Sequence, residues 1–352
     1  MTVKWGVIGA GGIADRRTIP EMLRVADNAE LVAVMDVNPE ATQRVARKYG
    51  VPRAYGTEEG LLRDPEVQAV YIATPQNVHH RQVLLAARYG KHILCEKPMA
   101  TSLQDAAEMI EACQKAGVKL GFDYMMRFNV HNQKVRKLVQ GGALGRPVMG
   151  RAQLTCWYPP IPGAWRQKRE IAFGGALIDM GSHCLDLLEW IFGSRIVEVF
   201  AFHDSLVQSY DVEDTSTAIL RFENGAHGIV DNYFNVPDAA AKNFLEVYGS
   251  LGTIFASGTI GQDPTGSVTT YLAPPGLAYS ADQVRNVSAD VRMEKYELEG
   301  VPMYGTMVKL FSEAVEKGGE PPVPAEEGYH NLEVIMALYE SARGGRPVRI
   351  AY

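Results

Sequence analysis

Three side chains with acid–base chemistry stand out in the sequence, and they come from two distant parts of the chain. Lys97 follows an apolar run that ends at Cys95, whereas Asp179 and His183 belong to a glycine-containing segment that begins at Gly174. Residues four apart share a face on a helical turn, so Asp179 and His183 can address one ligand. Lysine and histidine can move the proton of a substrate hydroxyl group. The alternative for Lys97 is an ammonium that only pairs with Glu96 or with a ligand oxygen.

A glycine-rich turn ends the first apolar run of the chain. Its sequence from Gly9 to Ala14, G-A-G-G-I-A, fits the pattern G-x-G-x-x-A. In this pattern the first glycine permits a tight turn, the second lets the backbone approach a pyrophosphate, and the last small residue lets the helix pack closely on the strand. Because a strand pattern precedes the turn and a helix pattern follows it, we expect dinucleotide binding rather than a merely structural turn. The predicted contacts are Gly9, Gly11, Gly12 and Ile13.

Asp36 at the end of the second predicted strand bears on the choice of cofactor. A carboxylate at this position accepts hydrogen bonds from the adenosine ribose and repels a 2′-phosphate, which favours NAD over NADP. Arg44, Arg47 and Lys48 follow on the next helix, where we interpret them as its solvated face.

Two further polar clusters follow predicted strands. One is T-P-Q-N-V-H from Thr74 to His79, and the other is E-K-P at residues 96–98. Open α/β sheets bind ligands at the carboxyl ends of their parallel strands. The residues predicted to contact the cofactor there are Thr74, Pro75, His79, Glu96 and Lys97.

The elements that carry these groups alternate between strand and helix over residues 1–123. The strand patterns are almost continuously apolar, which is typical of parallel strands covered on both faces. The predicted strands are Lys4–Ile8, Leu31–Met35, Ala69–Ala73, His92–Cys95 and Lys119–Phe122, and the predicted helices are Pro39–Tyr49, Val78–Tyr89 and Leu103–Ala116. The pattern predicts an α/β Rossmann domain with a doubly wound parallel sheet.

Residues 124–352 have a different pattern, in which strands follow one another with few helices between them. Such a run predicts an α+β domain with a large, mostly antiparallel open sheet. The predicted strands are Val148–Trp157, Val197–His203, Thr215–Phe222, Ala226–Tyr233 and Lys242–Tyr248, and the helices are His131–Gln140, Cys184–Ile191, Gly305–Glu316 and Glu327–Ala342. These helices are too few to cover both faces of the sheet, so we expect a homodimer or homotetramer.

The composition limits the kinds of molecule that the protein is expected to bind. The net charge is −6 over 352 residues, which disfavours nucleic acids and anionic membranes because both recruit basic surfaces. No apolar run reaches the ~20 residues of a membrane span, and no signal peptide is evident, so we expect a cytoplasmic protein. The four cysteines form no C-x-x-C pair, and Cys184 beside His183 offers too few ligands for zinc, so no metal site is predicted.

With these motifs together, the sequence resembles the Gfo/Idh/MocA family, which includes glucose–fructose oxidoreductase, inositol dehydrogenase and rhizopine-catabolism proteins. The resemblance rests on G-A-G-G-I-A from Gly9, T-P-x-x-x-H from Thr74, E-K-P from Glu96 and G-G-x-x-x-D-x-G-x-H from Gly174. The four motifs occur in the family's order and spacing, and they cover nearly the whole chain.

The resemblance implies roles that the residues alone do not. It implies that Lys97 and His183 face the reacting carbon with Asp179 beside them, and that Pro98 follows a cis peptide bond. It also implies that Trp165 and Arg166 reach the cofactor, and that Tyr304 lines the site. Asp123 occupies the position of the family's usual asparagine, which puts one cofactor or substrate contact in doubt.

The substrate predicted from these features is a sugar, a cyclitol or a sugar derivative. Aromatic and polar residues near the inferred cleft suit a ligand with stackable faces and many hydroxyl groups: Tyr124, Arg127, Trp157, Tyr158, Trp165 and Arg166. Trp157 and Tyr158 fit an apolar core equally well. The expected reaction is reversible hydride transfer between NAD(H) and a secondary alcohol or ketone, with Lys97 or His183 as the immediate acid or base.

Two other functions fit the same residues. One is an NAD-dependent glycoside hydrolase that oxidises the sugar only transiently and releases no NADH. The other is a non-catalytic sensor of dinucleotides or sugars, against which the presence of Lys97, Asp179 and His183 together argues.

Overall fold

The computed structural model describes residues 2–276 and 290–351, which form two β-sheets with helices packed against them. The first sheet has six parallel strands in the order β3-β2-β1-β4-β5-β6. Its strands are β1 Val3–Ile8, β2 Ala29–Met35, β3 Arg53–Tyr55, β4 Ala69–Ile72, β5 His92–Cys95 and β6 Leu120–Phe122. Strands β2 and β3 extend the sheet on one side of β1 and strands β4 to β6 extend it on the other, which confirms the predicted doubly wound Rossmann sheet.

Local signals account for the helices of this domain. Asn38 caps α2 by accepting a hydrogen bond from the backbone of Glu40, Pro39 occupies the first turn, and Gly50 ends the helix in the left-handed conformation. The helices are α1 Ile19–Val25, α2 Pro39–Tyr49, α3 Glu58–Leu62, α4 His79–Arg88 and α5 Leu103–Ala116, and a π-helical turn, Ala14–Thr18, precedes α1. Helix α1 corresponds to the helix pattern expected after the glycine turn. The short elements α3 and β3 lack a long periodic pattern, and the sequence did not predict them.

The second sheet has nine strands in the order β14-β13-β12-β11-β7-β10-β9-β8-β15. Strands β7 and β10 pair in parallel, and the other described pairs are antiparallel, so the large mostly antiparallel sheet is confirmed. The strands are β7 Pro147–Thr155, β8 Ile196–Asp204, β9 Thr215–Phe222, β10 His227–Tyr233, β11 Phe244–Gly249, β12 Gly252–Ser257, β13 Ser267–Leu272, β14 Arg292–Tyr296 and β15 Val348–Arg349.

Three of the remaining helices, α6, α8 and α10, contact this second sheet. The helices are α6 Val130–Gln140, α7 Arg169–Ala172, α8 Ser182–Phe192, α9 Met303–Lys317 and α10 Ala325–Gly344. The helical stretch Arg169–Phe192 is long and apolar enough by composition to cross a membrane, but 83% of its most apolar window is buried inside the fold. That burial is typical of a core helix.

Helix α9 lies between strands β14 and β15 of the second sheet in sequence, but it packs on the first sheet. Trp5 Nε1 donates a hydrogen bond to Ser312 Oγ at 3.0 Å, and the Trp5 and Phe311 rings lie 5.5 Å apart. The Asn28 side chain donates to the carbonyl oxygen of Lys309 at 3.0 Å. The predicted boundary at residues 123/124 falls directly after β6, yet the chain returns to the first sheet beyond residue 300.

Candidate active site

A cavity of about 710 Å³ lies between the two domains, and most of the predicted site residues line it. The glycine turn and the ends of β2, β4 and β5 form one wall, and residues from the second domain form the other. The predicted residues in the lining are Gly9, Gly11, Gly12, Ile13, Asp36, Thr74, Pro75, Glu96, Lys97, Trp165, Arg166, Asp179, His183 and Tyr304. The cavity thus joins the dinucleotide motif to the predicted acid–base groups.

The glycine turn has one position that the fold requires and one that it does not. Gly9 has φ +90°, and a Cβ there would lie 2.6 Å from the carbonyl oxygen of Ala73. A Cβ at Gly11 would meet only Asp36 Oδ2, at 3.7 Å. Because the protein leaves room beside Gly11 on the cavity wall, glycine there fits a ligand that approaches the backbone, as a dinucleotide pyrophosphate does.

Asp36 closes one end of the cavity with a carboxylate. Its Oδ2 accepts a hydrogen bond from the backbone of Gly11 at 3.2 Å, and its Oδ1 accepts one from the backbone of Asn38 at 2.9 Å. Val37 also lines the cavity and is 84% exposed. This arrangement fits the ribose of an NAD adenosine, because the carboxylate is fixed and accepts hydrogen bonds only.

At the other end of the cavity, the two domains bring the predicted acid–base groups together. Lys97 follows β5, and its Nζ donates to the carbonyl oxygen of Asp179 at 2.5 Å and to Asp179 Oδ1 at 3.1 Å. Arg166 Nε lies 3.4 Å from the same Oδ1. Asp179 lies in a π-helical turn, Leu177–Gly181, that runs directly into α8 and so places His183 one turn further on.

Charge and burial set the protonation states of this cluster. Burial opposes ionisation of Asp179, but the ammonium of Lys97 and the guanidinium of Arg166 hold its pKa well below the usual range. Burial, together with the positive charge of Lys97, lowers the pKa of His183 well below its ordinary value. The site therefore contains a carboxylate and a neutral imidazole at neutral pH.

His79 does not line the cavity, so its cofactor contact stays a prediction. Its ring is buried, with Nδ1 3.1 Å from the carbonyl oxygen of Pro98 and Nε2 3.0 Å from that of Thr74. His79 therefore ties together the two loops that follow β4 and β5. The peptide bond between Lys97 and Pro98 is cis, as the family resemblance implied.

Tyr124 and Arg127 also do not line the cavity, and their contact with a substrate stays a prediction. Tyr124 is buried, with its ring edge-on to His183 at 6.1 Å. Arg127 is buried as well; its Nε donates to Asp186 Oδ2 at 2.9 Å, and its guanidinium also pairs with Glu327. Nε and Nη2 of Arg127 are thus engaged within the protein, by Asp186 and Glu327.

Sequence reasoning missed fifteen cavity residues, seven from the first domain and eight from the second. These are Arg16, Met35, Val37, Glu58, Ala73, Gln76, Gln82, Met125, Met126, Leu154, Cys156, Met180, Phe234, Gly261 and Gln262. Tyr158, considered before as either a site or a core residue, lines the cavity, whereas Trp157 does not. The loop with Gln262 reaches the first domain, where Arg17 pairs with Asp263 at 2.8 Å. No local sequence signal marks such long-range contacts; for Arg16, closeness to the glycine motif was a usable clue.

Two family models match the chain. Residues 3–124 match the oxidoreductase family with an NAD-binding Rossmann fold, and residues 132–255 match the GFO/IDH/MocA C-terminal domain.

Among individual proteins, the chain is similar to 1,5-anhydro-D-fructose reductase of Ensifer adhaerens, with 30% identity over 99% of this chain and 98% of the relative. It is similar to myo-inositol 2-dehydrogenase of Thermotoga maritima, with 31% identity over 98% of each chain. A crystal structure of the aldose-aldose oxidoreductase from Caulobacter crescentus, complexed with glycerol, matches with a TM-score of 0.86 and 28% identity over 99% of this chain and 100% of the other. The chain therefore belongs to the Gfo/Idh/MocA family of oxidoreductases and contains its NAD-binding Rossmann domain.

Proposed function

We propose that the protein catalyses reversible hydride transfer between NAD(H) and a secondary alcohol or ketone of a sugar, a cyclitol or a sugar derivative. The observation that carries this proposal is the meeting of Lys97 with Asp179 and His183 in a cavity that continues to the glycine turn and Asp36. Relatives over nearly the full length are a reductase of an anhydro sugar and a dehydrogenase of inositol.

The bound dinucleotide supplies the group that accepts or donates the hydride. In the direction of oxidation, the neutral imidazole of His183 accepts the hydroxyl proton. Lys97 has three N–H donors and gives two to Asp179, so one remains for the substrate oxygen. Asp179 fixes the ammonium, and the apolar side chains of Leu154, Met180 and Phe234 in the cavity wall limit the access of water.

Substrate identity and catalysis can be tested together with a panel of sugars and polyols, NAD⁺ and the absorbance of NADH. On an active substrate, Lys97→Ala and His183→Ala should each lower kcat roughly 10²- to 10⁴-fold, the usual effect of losing a positioned acid or base. Fluorescence titration should show little change in NADH affinity. Lys115→Ala is a suitable control, because this lysine is exposed on α5.

If Lys97→Ala keeps a nearly normal kcat but loses NADH affinity, Lys97 is a cofactor ligand and its catalytic role is wrong. Accumulation of NADH in solution also separates a dehydrogenase from the NAD-dependent glycoside hydrolase, which would release none.

The preferred cofactor is NAD rather than NADP, because the Asp36 carboxylate repels a 2′-phosphate. Asp36→Ala combined with Val37→Arg should weaken NAD binding and improve binding of NADP, since Val37 lies next to Asp36 on the cavity wall. Val37→Arg alone is the control that keeps the repulsion. Tighter binding of NADP than of NAD by the unmodified protein would contradict the preference.

The working form is a cytoplasmic homodimer or homotetramer whose partner molecule is a small polyol rather than a nucleic acid or a membrane. Free thiols at all four cysteines suit a reducing compartment. Exposed apolar residues on the outer face of the second sheet support self-association.

A further inference from the structure

A buried cluster of oxygen atoms lies beneath the cavity wall, where β4, β5 and β6 end. Tyr71 Oη is 2.5 Å from Glu96 Oε1 and 3.4 Å from Asp123 Oδ2, and Thr18 Oγ1 donates to it at 3.0 Å. Tyr71 and Asp123 are each 1% exposed. Asp123 Oδ1 is buried without a hydrogen-bond partner among the described residues.

The number of available protons constrains this arrangement. A tyrosine hydroxyl has one proton to donate, and the short distance assigns it to Glu96. Thr18 donates its own proton to Tyr71 Oη, so the contact with Asp123 Oδ2 is favourable only if Asp123 carries a proton and donates it. An ionised Asp123 would instead be a buried charge with an unpaired Oδ1 and no assigned donor on Oδ2, which is costly.

The charged and titratable groups around Asp123 also favour its protonated, neutral state. Glu96 from the end of β5 and Glu21 from α1 are acidic neighbours, and Tyr71 from β4 and Tyr304 from α9 add phenol groups. The nearby cation is Lys97, which is already engaged by Asp179. Burial, and then the charges of Glu96 and Glu21, raise the pKa of Asp123 well above its ordinary value.

We propose that Asp123 is a neutral carboxylic acid in the folded protein, and that the cluster of Glu96, Tyr71 and Asp123 holds a single negative charge, on Glu96. Asp123 is a positioning residue: it donates to Tyr71, and Tyr71 fixes the Glu96 carboxylate in the cavity wall next to Lys97. An asparagine amide can donate the same hydrogen bond, so aspartate in place of the family's usual asparagine leaves the charge of the site unchanged.

The first test is the pH dependence of stability of Asp123→Asn against the unmodified protein. If Asp123 is neutral when folded and ionised when unfolded, folding takes up a proton at every pH between the ordinary aspartate pKa of about 4 and the raised folded pKa. The unmodified protein therefore loses stability relative to Asp123→Asn as pH rises above about 4. The difference in Tm, variant minus unmodified, should grow steadily towards alkaline pH. A difference that is flat, or that falls with pH, overturns the neutral state.

Infrared spectroscopy gives a second readout that does not depend on the variant's stability. Protein labelled with ¹³C in the aspartate carboxyl groups should show, at mildly alkaline pH, an isotope-shifted carbonyl band of a protonated carboxylic acid. The absence of that band from the labelled, unmodified protein overturns the proposal even if Asp123→Asn does not fold. Where the variant folds, the band should be missing from it.

Cofactor binding tests the location of the single charge. The oxidised nicotinamide ring is cationic and the reduced ring is neutral, so an anion in the cavity wall favours NAD⁺. Glu96→Gln should raise the Kd for NAD⁺ relative to that for NADH several-fold, whereas Asp123→Asn should leave this ratio nearly unchanged. Equal shifts in both variants mean that both side chains are ionised, which contradicts the proposal.

Discussion

At the scale of single residues, the protonation state of His183 sets the pH range in which the proposed oxidation works. Burial and the charge of Lys97 lower the pKa of His183 well below the ordinary value of 6.5. A lowered pKa keeps the imidazole neutral, and thus able to accept a proton, at more acidic pH. The value of kcat/KM for alcohol oxidation should therefore stay level through neutral pH and fall only clearly below pH 6.5.

The pH profile of kcat/KM and the titration of the His183 ring protons by NMR check this prediction independently. His183→Asn identifies the resonance. An acidic limb, or a ring titration, centred at or above pH 6.5 would show that the surroundings do not disfavour the charged imidazole.

Substitutions at Gly9 and Gly11 should separate the effect of the glycine turn on cofactor binding from its effect on folding. Gly11→Val places a side chain on the cavity wall where the structure offers space, so it should abolish NADH binding with little change in Tm. Gly9→Ala forces a Cβ against the Ala73 carbonyl at a positive φ, so it should lower Tm strongly. Calorimetry and NADH fluorescence on both variants measure the two effects. A Gly11→Val protein that binds NADH normally would remove the glycine turn from the cofactor site.

Sequence reasoning succeeded for residues whose neighbours along the chain determine their position. Lys97 and Asp36 end parallel strands, and the carboxyl edge of such a sheet follows from the alternation of strand and helix. It did not predict the buried positions of His79 and Arg127, because the carbonyl and carboxylate groups that bind their side chains belong to other elements. Polar residues near a predicted cleft can be engaged within the protein, and the sequence does not reveal those partners.

At the scale of elements, a buried ion pair holds α8, the helix that carries His183. Arg127 contacts Asp186 through several hydrogen bonds, and both side chains are at most 7% exposed. Removing one partner of such a pair leaves an uncompensated buried charge. Arg127→Met should therefore lower the free energy of unfolding by about 3–5 kcal/mol, and it should lower kcat because α8 is no longer fixed. Chemical denaturation and steady-state kinetics measure the two losses.

A paired substitution serves as the control for this prediction. Arg127→Met with Asp186→Leu removes both charges, so it should recover most of the lost stability, since apolar pairs of similar volume often replace buried ion pairs without loss. If the double variant is as unstable as Arg127→Met, the loss does not come from the unpaired Asp186 carboxylate.

Helices and strands with a periodic sequence pattern were predicted better than strands without one. Long periodic patterns, such as those of α5 and β9, were predicted accurately because burial of one face dictates their period. Strands β12, β13 and β14 were not predicted. Small and polar residues interrupt the apolar positions of β12 and β13, and three of the five residues of β14 are charged. These segments become strands through pairing with β11 and with one another.

At the scale of the whole molecule, the chain crosses between its two sheets more than once. Helix α9 packs on the first sheet, and the Arg17–Asp263 ion pair brings a loop of the second domain to the cofactor end of the cavity. The sequence could indicate the two sheets but not these crossings, because no periodic pattern records which sheet a distant helix will cover. The cavity is consequently built from both domains along its length.

The outer face of the second sheet carries exposed apolar residues, and we predict that the protein self-associates through it. Phe202 and Ile219 are 63% and 55% exposed on the neighbouring strands β8 and β9, and Met293 is 62% exposed on β14. A sheet face with such exposed apolar residues is stabilised when a second copy covers it. We expect the unmodified protein to be a dimer or tetramer in sedimentation at micromolar concentration, and Phe202→Glu with Ile219→Glu to be a monomer there. Leu23→Glu, at an exposed apolar position on α1, is the matched control and should not change the assembly. A monomeric unmodified protein, or an unchanged oligomer in the double variant, would show that this face is not the interface.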